Sequence, residues 1–342
     1  MDGRLMNPEK VTSQQVAKLA GVSQSAVSRV YTPGASASKK TMLKVHKAAE
    51  TLGYRPNSLA RAMVSGKSRI IGLIVAYLDN QFYPDAIEKL SNSLQANGYH
   101  VLIFMASKTA EGLDSVIEEI MDYQVDGIIA ASVALSSSLA QRCSSMGVPI
   151  VLFNRAQQDD GFSSVTSDNV SGGAKAARFL MEGGHTKIGY IAGWEGASTQ
   201  RDREFGFVAA LQQAGLKLHA REVGQFEMEQ ASSATRRMFA TDAPDAVFVA
   251  NDHMAFAVMD TLRFELGLRI PEDVSVVGYD DVPAASWLAY NLTTVRQRAN
   301  QMVQETVRIL LDQVEGNGDQ DQHIAIGSPL IVRGSARKPK GY

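Results

Sequence analysis

Residues 11–31, VTSQQVAKLAGVSQSAVSRVY, divide into two short helices around a glycine. Thr12 followed by Gln15 has the spacing of a capping box and marks a helix start. Val16, Leu19 and Ala20 then fall on one face, and Gly21 supplies the left-handed conformation that ends the helix and turns the chain. Ser23 caps the next helix, whose Val27 and Val30 point back to the first. The opposite face shows Gln24, Ser25, Ala26, Ser28 and Arg29, short side chains plus one arginine, suited to reaching base edges in a major groove. A polar outer face is also what any helical hairpin presents, so this segment alone leaves both readings open.

The residues that follow favour nucleic acid. In residues 36–54, SASKKTMLKVHKAAETLGY, Met42, Val45, Ala49 and Leu52 recur at helical spacing and Gly53 stops the helix. Lys39, Lys40, Lys44 and Lys47 are left on the surface, where they can meet phosphates. In residues 54–69, YRPNSLARAMVSGKSR, Pro56 suits a first helical turn and Asn57 and Ser58 suit a cap, so Leu59–Met63 predict one or two turns before a Ser65-Gly66 joint. A helix this short is marginal alone and needs a partner, which suggests a switchable hinge. Charge agrees. From Met1 to Arg69 there are twelve Lys/Arg against three Asp/Glu, a net of +9, whereas the whole chain is −2, leaving −11 on the remainder. A basic head on an acidic body is the footprint of a polyanion-binding module joined to a separate regulatory domain.

A length of 342 residues suits such a head plus two subdomains, and 45% hydrophobic residues argue against disorder. The single cysteine, Cys143, excludes an internal disulfide framework, fits a reducing compartment and reads as a small buried hydrophobe. Residues 1–12, MDGRLMNPEKVT, lack the apolar run of a secretion signal and no stretch reaches the length of a membrane span, so a soluble cytoplasmic protein is expected. Six scattered histidines show no metal-site spacing, and no cofactor or metal is expected.

From Ile70 the pattern changes. Strand-length apolar runs (IIGLIVA at 70–76, HVLIFMA at 100–106, PIVLFN at 149–154) alternate with helical stretches. A second series begins near Gly172 with GGAKAARFLMEGGH, then KIGYIAG, DAVFVAN and VSVVGYDD. Alternation of this kind predicts parallel sheets covered by helices, and two doubly wound units in series predict two lobes around a cleft. Ligands of such sheets sit at the carboxyl ends of strands. There the sequence places Asp79, Asn80, Phe82 and Tyr83; Asn154 and Arg155; Trp194, Ser198, Thr199 and Arg203; Asn251 and Asp252; and Tyr279, Asp280 and Asp281. Aromatic rings with a few Asn, Asp and Arg suit a polyhydroxylated ligand. For Asn251, Asp252 and Asp281, helix capping explains the residue as well as binding does.

The runs VAKLAGVS and VSRV at 16–30, LGYRPNSLARAM at 52–63, IIGLIVAYLDNQFYP at 70–84 and VSVVGYDDVPAASWLAYNLTTVRQ at 274–297 resemble, in order, the LacI-type (lactose-repressor/galactose-repressor) family of bacterial transcriptional regulators. The resemblance extends along the chain and implies an α/β protein: an N-terminal all-α helix-turn-helix head with a hinge helix, then a two-lobed, periplasmic-binding-protein-like core of doubly wound parallel sheets. The implied divisions are 1–56 for the head, 57–69 for the hinge and linker, 70–335 for the core and 336–342 for a tail. Within the core, the N-lobe covers about 70–166 and 298–326 and the C-lobe about 167–297 and 327–335.

On the same match Thr12, Ser23, Gln24, Ser25, Ala26, Ser28 and Arg29 form the DNA face, with Gln24, Ser25 and Arg29 reading bases. Asn57, Ala60 and Arg61 would contact the minor groove and backbone, and Met63 occupies the wedge position between two base pairs. In the cleft, Arg203 would hold an anionic or hydroxyl-bearing ligand and Asp280 would accept from its hydroxyls. Asn154 and Asn251 complete the polar ring, Phe82 or Trp194 packs on the ligand, and Tyr83, Arg155 and Thr199 complete the candidate set. The resemblance implies a homodimer on an inverted-repeat operator, a carbohydrate or sugar-acid effector, and no catalysis. Ile87, Leu90 and Leu94 are candidates for the dimer face, with core packing equally expected for some of them. The competing reading is a sugar-binding receptor or transport-type binding protein, opposed by the basic head. An enzyme on the same lobes is opposed by the lack of a phosphate loop or nucleophile elbow.

Overall fold

The computed structural model describes residues 11–32, 35–55, 67–106, 116–117, 119–131, 133, 145–157, 161–318 and 321–341. The chain divides between Ser68 and Arg69 into two units. The hinge positions Asn57, Ala60, Arg61 and Met63, and Cys143, lie outside the described residues.

In the first unit local chemistry sets the elements. Helix α1 (Ser13–Ala20) opens on a complete capping box: Gln15 N–H donates to the Thr12 hydroxyl while Gln15 Oε1 accepts from Thr12 N–H. Helices α2 (Gln24–Tyr31) and α3 (Lys39–Leu52) start on Ser23 and Ser38, whose hydroxyls accept from Ala26 and Thr41 N–H. Gly21 and Gly53 end α1 and α3 at φ of 64° and 65°, a region closed to most other residues. Val16, Ala17, Ala20, Val27, Val45, Ala48 and Ala49 make the core, with Val30, Leu52 and Tyr54 packed against it. Two expected core positions are not there. Leu19 is 54% exposed: at about 100° per residue, Val16, Ala20 and Ala17 share one arc and Leu19 falls off its edge. Met42, in the first turn of α3, is also exposed.

The second unit is two parallel sheets built by βαβ crossovers. The first has the order β11-β5-β4-β3-β1-β2, from β1 (Ile70–Val75), β2 (His100–Met105), β3 (Gly127–Ala131), β4 (Ile150–Phe153), β5 (Ser163–Ser167) and β11 (His323–Ile326). All its pairings are parallel. The second has the order β12-β10-β9-β8-β6-β7, from β6 (Ile188–Ala192), β7 (Ala220–Val223), β8 (Ala246–Val249), β9 (Ser275–Asp280), β10 (Thr293–Arg296) and β12 (Leu330–Ile331). It is parallel except for β12, which runs against β10. The central strands β3, β4, β6, β8 and β9 are buried along their whole length, as sheets covered on both faces require. The chain crosses from one sheet to the other after β5, after β10 and after β11.

Helix α4 (Phe82–Ala96) packs on the first sheet, and Leu90 and Leu94 are fully buried in that core with Ile87 partly buried against it. Leu90 and Leu94 are therefore spent inside the lobe and cannot form a dimer face. On the second sheet, α5 (Asn169–Glu182) and α6 (Ser198–Gln213) meet backbone to backbone. A Cβ at Gly206 would lie 1.9 Å from Val170 O, and one at Gly173 would lie 2.1 Å from Arg203 O. Gly173 is thus a helix-contact residue. The segment after β12 is held at its start: Ala336 is buried, and Arg337 N–H donates to Ser275 Oγ.

Candidate nucleic-acid face and ligand cleft

In the head, the core and caps hold α2 with Gln24, Ser25, Ser28 and Arg29 exposed and Ala26 partly so. Gln24 Nε2 donates to Ser13 Oγ at 3.0 Å, tying the start of α2 to α1. The Thr12 and Ser23 hydroxyls are used as caps, and Ser25 Oγ lies 2.9 Å from Ser23 Oγ. The Arg29 guanidinium has no hydrogen bond or ion pair among the described residues. Lys39, Lys40, Lys44 and Lys47 are all exposed. A fixed helix thus presents short polar groups and one free guanidinium, with a lysine-rich helix beside it, which is what base readout plus phosphate contact needs.

In the second unit the strand order reverses between β1 and β3 in one sheet and between β6 and β8 in the other. Beyond the carboxyl ends of strands at such points lies the ligand crevice of doubly wound sheets. Hydrogen bonds join the two lobes there. Asn80 Nδ2, after β1, donates to Asp280 Oδ2 at 3.0 Å. Arg155 Nη1, after β4, donates to Thr199 Oγ1 at 2.6 Å, and Ala156 N–H donates to Ser198 Oγ at 3.0 Å.

Arg203, on α6 and 2% exposed, is committed on every side. Nε donates to Asn169 Oδ1 at 2.9 Å, Nη1 to Ala250 O at 2.6 Å, and Nη2 lies 3.5 Å from Asp280 Oδ1. Its guanidinium carbon sits 3.6 Å from the centre of the Tyr279 ring. Asp280, at the end of β9, accepts from Gln297 Nε2 at 2.7 Å, and Gln297 Oε1 accepts from Ser167 Oγ at 2.9 Å. Burial raises the Asp280 carboxyl, against the pull of Arg203, Asn80 and Gln297. Asp252 is raised further, by burial and then by the charge of Asp280. Asn154 and Asp280 hold positive φ of 58° and 123°, uncommon backbone that clusters at binding sites. A cavity of about 410 Å³ lies beside Asp280, lined among others by Phe82, Gln297, Arg296 and Arg333.

The structure brings Asn154, Arg155, Thr199, Arg203 and Asp280 together, with Tyr83 accepting from Asn154 Nδ2 at 3.2 Å. Phe82 is buried and stacks on Phe153 at 6.2 Å. Asn251 caps α7 (Asp252–Asp260): its Oδ1 accepts from Met254 N–H at 3.0 Å. Asp252 accepts from Thr294 Oγ1 and Val282 N–H, and Asp281 pairs with Arg296 and Arg333. Trp194 is 42% exposed and its indole covers Gly196, where a Cβ would come within 2.4 Å of the ring. Asn169 and Gln297, absent from the expected set, complete the arginine and aspartate positions. Gln297 directly follows β10 and Asn169 lies two residues after β5, so both stand at strand ends.

A serine, histidine and aspartate in triad order also occur. Ser275 Oγ lies 2.8 Å from His185 Nε2, and His185 Nδ1 lies 3.2 Å from Asp245 Oδ1. Ser275 and His185 are buried, and Ser275 Oγ is already an acceptor for Arg337 N–H. A nucleophile must reach substrate, so this row is a clasp in the core and not a catalytic site. Among the described residues no group of three or more His, Cys, Asp or Glu is placed to hold a metal, and no helix is long and apolar enough to cross a membrane.

A helix-turn-helix head and a two-lobed ligand clamp in one chain define a transcriptional regulator. Residues 12–57 match the model for bacterial regulatory proteins of the lacI family, and residues 177–336 match a periplasmic binding protein-like domain. The ribose operon repressor of Escherichia coli (strain K12) is 30% identical over 331 residues, covering 95% of this chain and 99% of that protein. The HTH-type transcriptional repressor PurR of Vibrio vulnificus (strain CMCP6) is 29% identical over 331 residues, covering 96% and 99%. The lac repressor dimer bound to operator and the anti-inducer ONPF is similar in structure with a TM-score of 0.87 at 26% identity, over 96% of this chain and 99% of that one. The CelR–cellobiose complex, also a transcriptional regulator, gives 0.72 at 30% identity, over 95% and 100%. The chain belongs to the LacI family of bacterial transcriptional regulators. Its relatives are repressors and not enzymes.

Proposed function

We propose that the protein is a cytoplasmic repressor that binds an inverted-repeat operator as a homodimer, with a carbohydrate or sugar acid in the cleft setting its affinity. The observation that supports this most directly is the exposed α2 face with an unengaged Arg29, carried on a chain similar over its full length to operator repressors. Gln24, Ser25 and Arg29 read bases, and Thr12, Ser23, Ala26 and Ser28 fix the approach. Asn57, Ala60, Arg61 and Met63 are assigned to the minor groove by resemblance. The core divides near residues 167, 297 and 327 into an N-lobe and a C-lobe. Asn154, Arg155, Thr199 and Asp280 are the cleft groups placed to meet a polar effector, with Arg203 fixing Asp280. Phe82, Tyr83, Trp194 and Asn251 are assigned supporting places around it.

Two recognition modules on one palindrome supply the contacts that a single head lacks. A ligand that prefers one lobe arrangement shifts operator occupancy usefully with a coupling of about 1–3 kcal/mol. The test is binding to a set of palindromic and random duplexes at physiological ionic strength. A preferred palindrome is expected, and Arg29→Ala should cost about 1–3 kcal/mol on it while leaving random duplex unchanged. Equal binding to every duplex would refute the proposal.

A further inference from the structure

Arg155 is 4% exposed and has no acidic partner among the described residues. Its hydrogen bonds are both donated by Nη1, to Thr199 Oγ1 at 2.6 Å and Asn154 O at 3.2 Å. Neither acceptor carries a charge, and Nε and Nη2 donate to no acceptor among the described residues. A buried guanidinium is normally paired with a carboxylate, because an unpaired charge out of water is costly. Arg203 cannot serve an incoming anion, since Asn169, Ala250, Asp280 and Tyr279 surround it. The adjoining Asn154 adds a second open valence: its Oδ1 is buried and accepts no hydrogen bond, while its Nδ2 is used on Tyr83.

We infer that the cleft is built for a polyhydroxylated anion, a sugar bearing a carboxylate or phosphate, whose charged group pairs with Arg155 and whose hydroxyl donates to Asn154 Oδ1. The inference rests on the regulatory reading above and narrows its effector to an anion. Arg155 is then a cation waiting for its counter-charge, and its bond to Thr199 is a place-holder across the lobes. A charge-assisted bond to Arg155 selects the anionic sugar over the neutral one roughly tenfold or more.

The test is thermal unfolding of the full chain in a buffer free of oxyanions, titrated at constant ionic strength with inorganic phosphate, D-gluconate and D-glucose. Phosphate should raise Tm in the parent and in Arg155→Lys, and not in Arg155→Met. A gluconate rise that depends on Arg155 identifies a carboxylate ligand, and a phosphate rise alone identifies a phosphorylated one. Without any anion, Arg155→Met should melt no lower than the parent. No rise with either phosphate or gluconate, or an equal rise in the parent and Arg155→Met, overturns the inference. So does a marked loss of Tm in anion-free Arg155→Met, which would make Arg155 a structural latch. Palindrome preference of the parent protein, measured separately, distinguishes a failed anion site from a failed regulatory reading.

Discussion

Two buried arginines border the same cleft and are held in opposite ways. On the C-lobe wall, Arg203 has a carboxylate, a carboxamide, a carbonyl and an aromatic face, all from its own lobe. On the N-lobe wall, Arg155 has one neighbouring carbonyl and one hydroxyl borrowed from across the cleft. Equal burial therefore hides different jobs. The first wall is complete without a ligand and positions Asp280. The second is incomplete, and its incompleteness is what a ligand can use.

The largest test of that contrast is Arg203→Ala. Removing one member of a buried ion pair leaves the other, here Asp280, without its counter-charge, and leaves Asn169 Oδ1 and Ala250 O without their donor. A loss of about 3–5 kcal/mol is expected in urea unfolding of the full chain. A change within about 1 kcal/mol would break the comparison, because it would make both walls equally dispensable to folding.

Gly206→Ala sharpens the same point one layer out. The added methyl would meet Val170 O at 1.9 Å, and backbone cannot swing aside as a side chain does. The helices α5 and α6 must separate, moving Asn169 relative to Arg203. A cost of about 3 kcal/mol is expected, read from the same unfolding midpoints. A stable Gly206→Ala protein would mean that the C-lobe wall tolerates loosening.

How far these residues were legible before the structure follows from the range of the forces involved. The caps at Thr12 and Ser23 and the stops at Gly21 and Gly53 depend on three or four neighbouring residues, and each stands where its local pattern puts it. The strands β1, β4, β6, β8 and β9 were equally readable, because sheets buried on both faces make long apolar runs, whereas β5, β7, β10, β11 and β12 carry no such run. Side-chain partnership was not. Gln297 reaches Ser167 across 130 positions and Asn169 reaches Arg203 across 34, distances at which no spacing rule operates. Nothing in the residues around Arg155 and Arg203 separates a guanidinium with four partners from one with two. Asn251 shows the converse: its place at a strand end suited a ligand, and its side chain caps the next helix.

The C-lobe also carries a pH-dependent element away from the cleft. Burial lowers the His185 pKa, and the pull of Asp245 does not restore it. A histidine whose folded value lies below its unfolded value contributes its full stability above about pH 6.5 and loses it as pH falls from there to the lowered value. One proton can remove at most about 1.4 kcal/mol at pH 5.5. Subtracting the stability profile of His185→Gln from that of the parent between pH 7.5 and 5.5 should show this fall. A flat difference would mean that His185 charges as readily folded as unfolded.

Thr199→Val carries the smallest expected effect and bears most closely on the unfinished wall. It keeps the shape of the side chain and removes only the oxygen that accepts from Arg155. If the N-lobe wall holds the lobes together, this deletion strands a buried cation and costs as much as breaking an ion pair. If Arg155 is waiting for a ligand, it can turn its guanidinium toward solvent in the cleft, and the loss should stay near 1 kcal/mol. Chemical unfolding separates the two. A loss above about 3 kcal/mol would place Arg155 beside Arg203 as part of the frame, whereas a small loss with the anion response retained would leave the two walls as different as their bonds suggest.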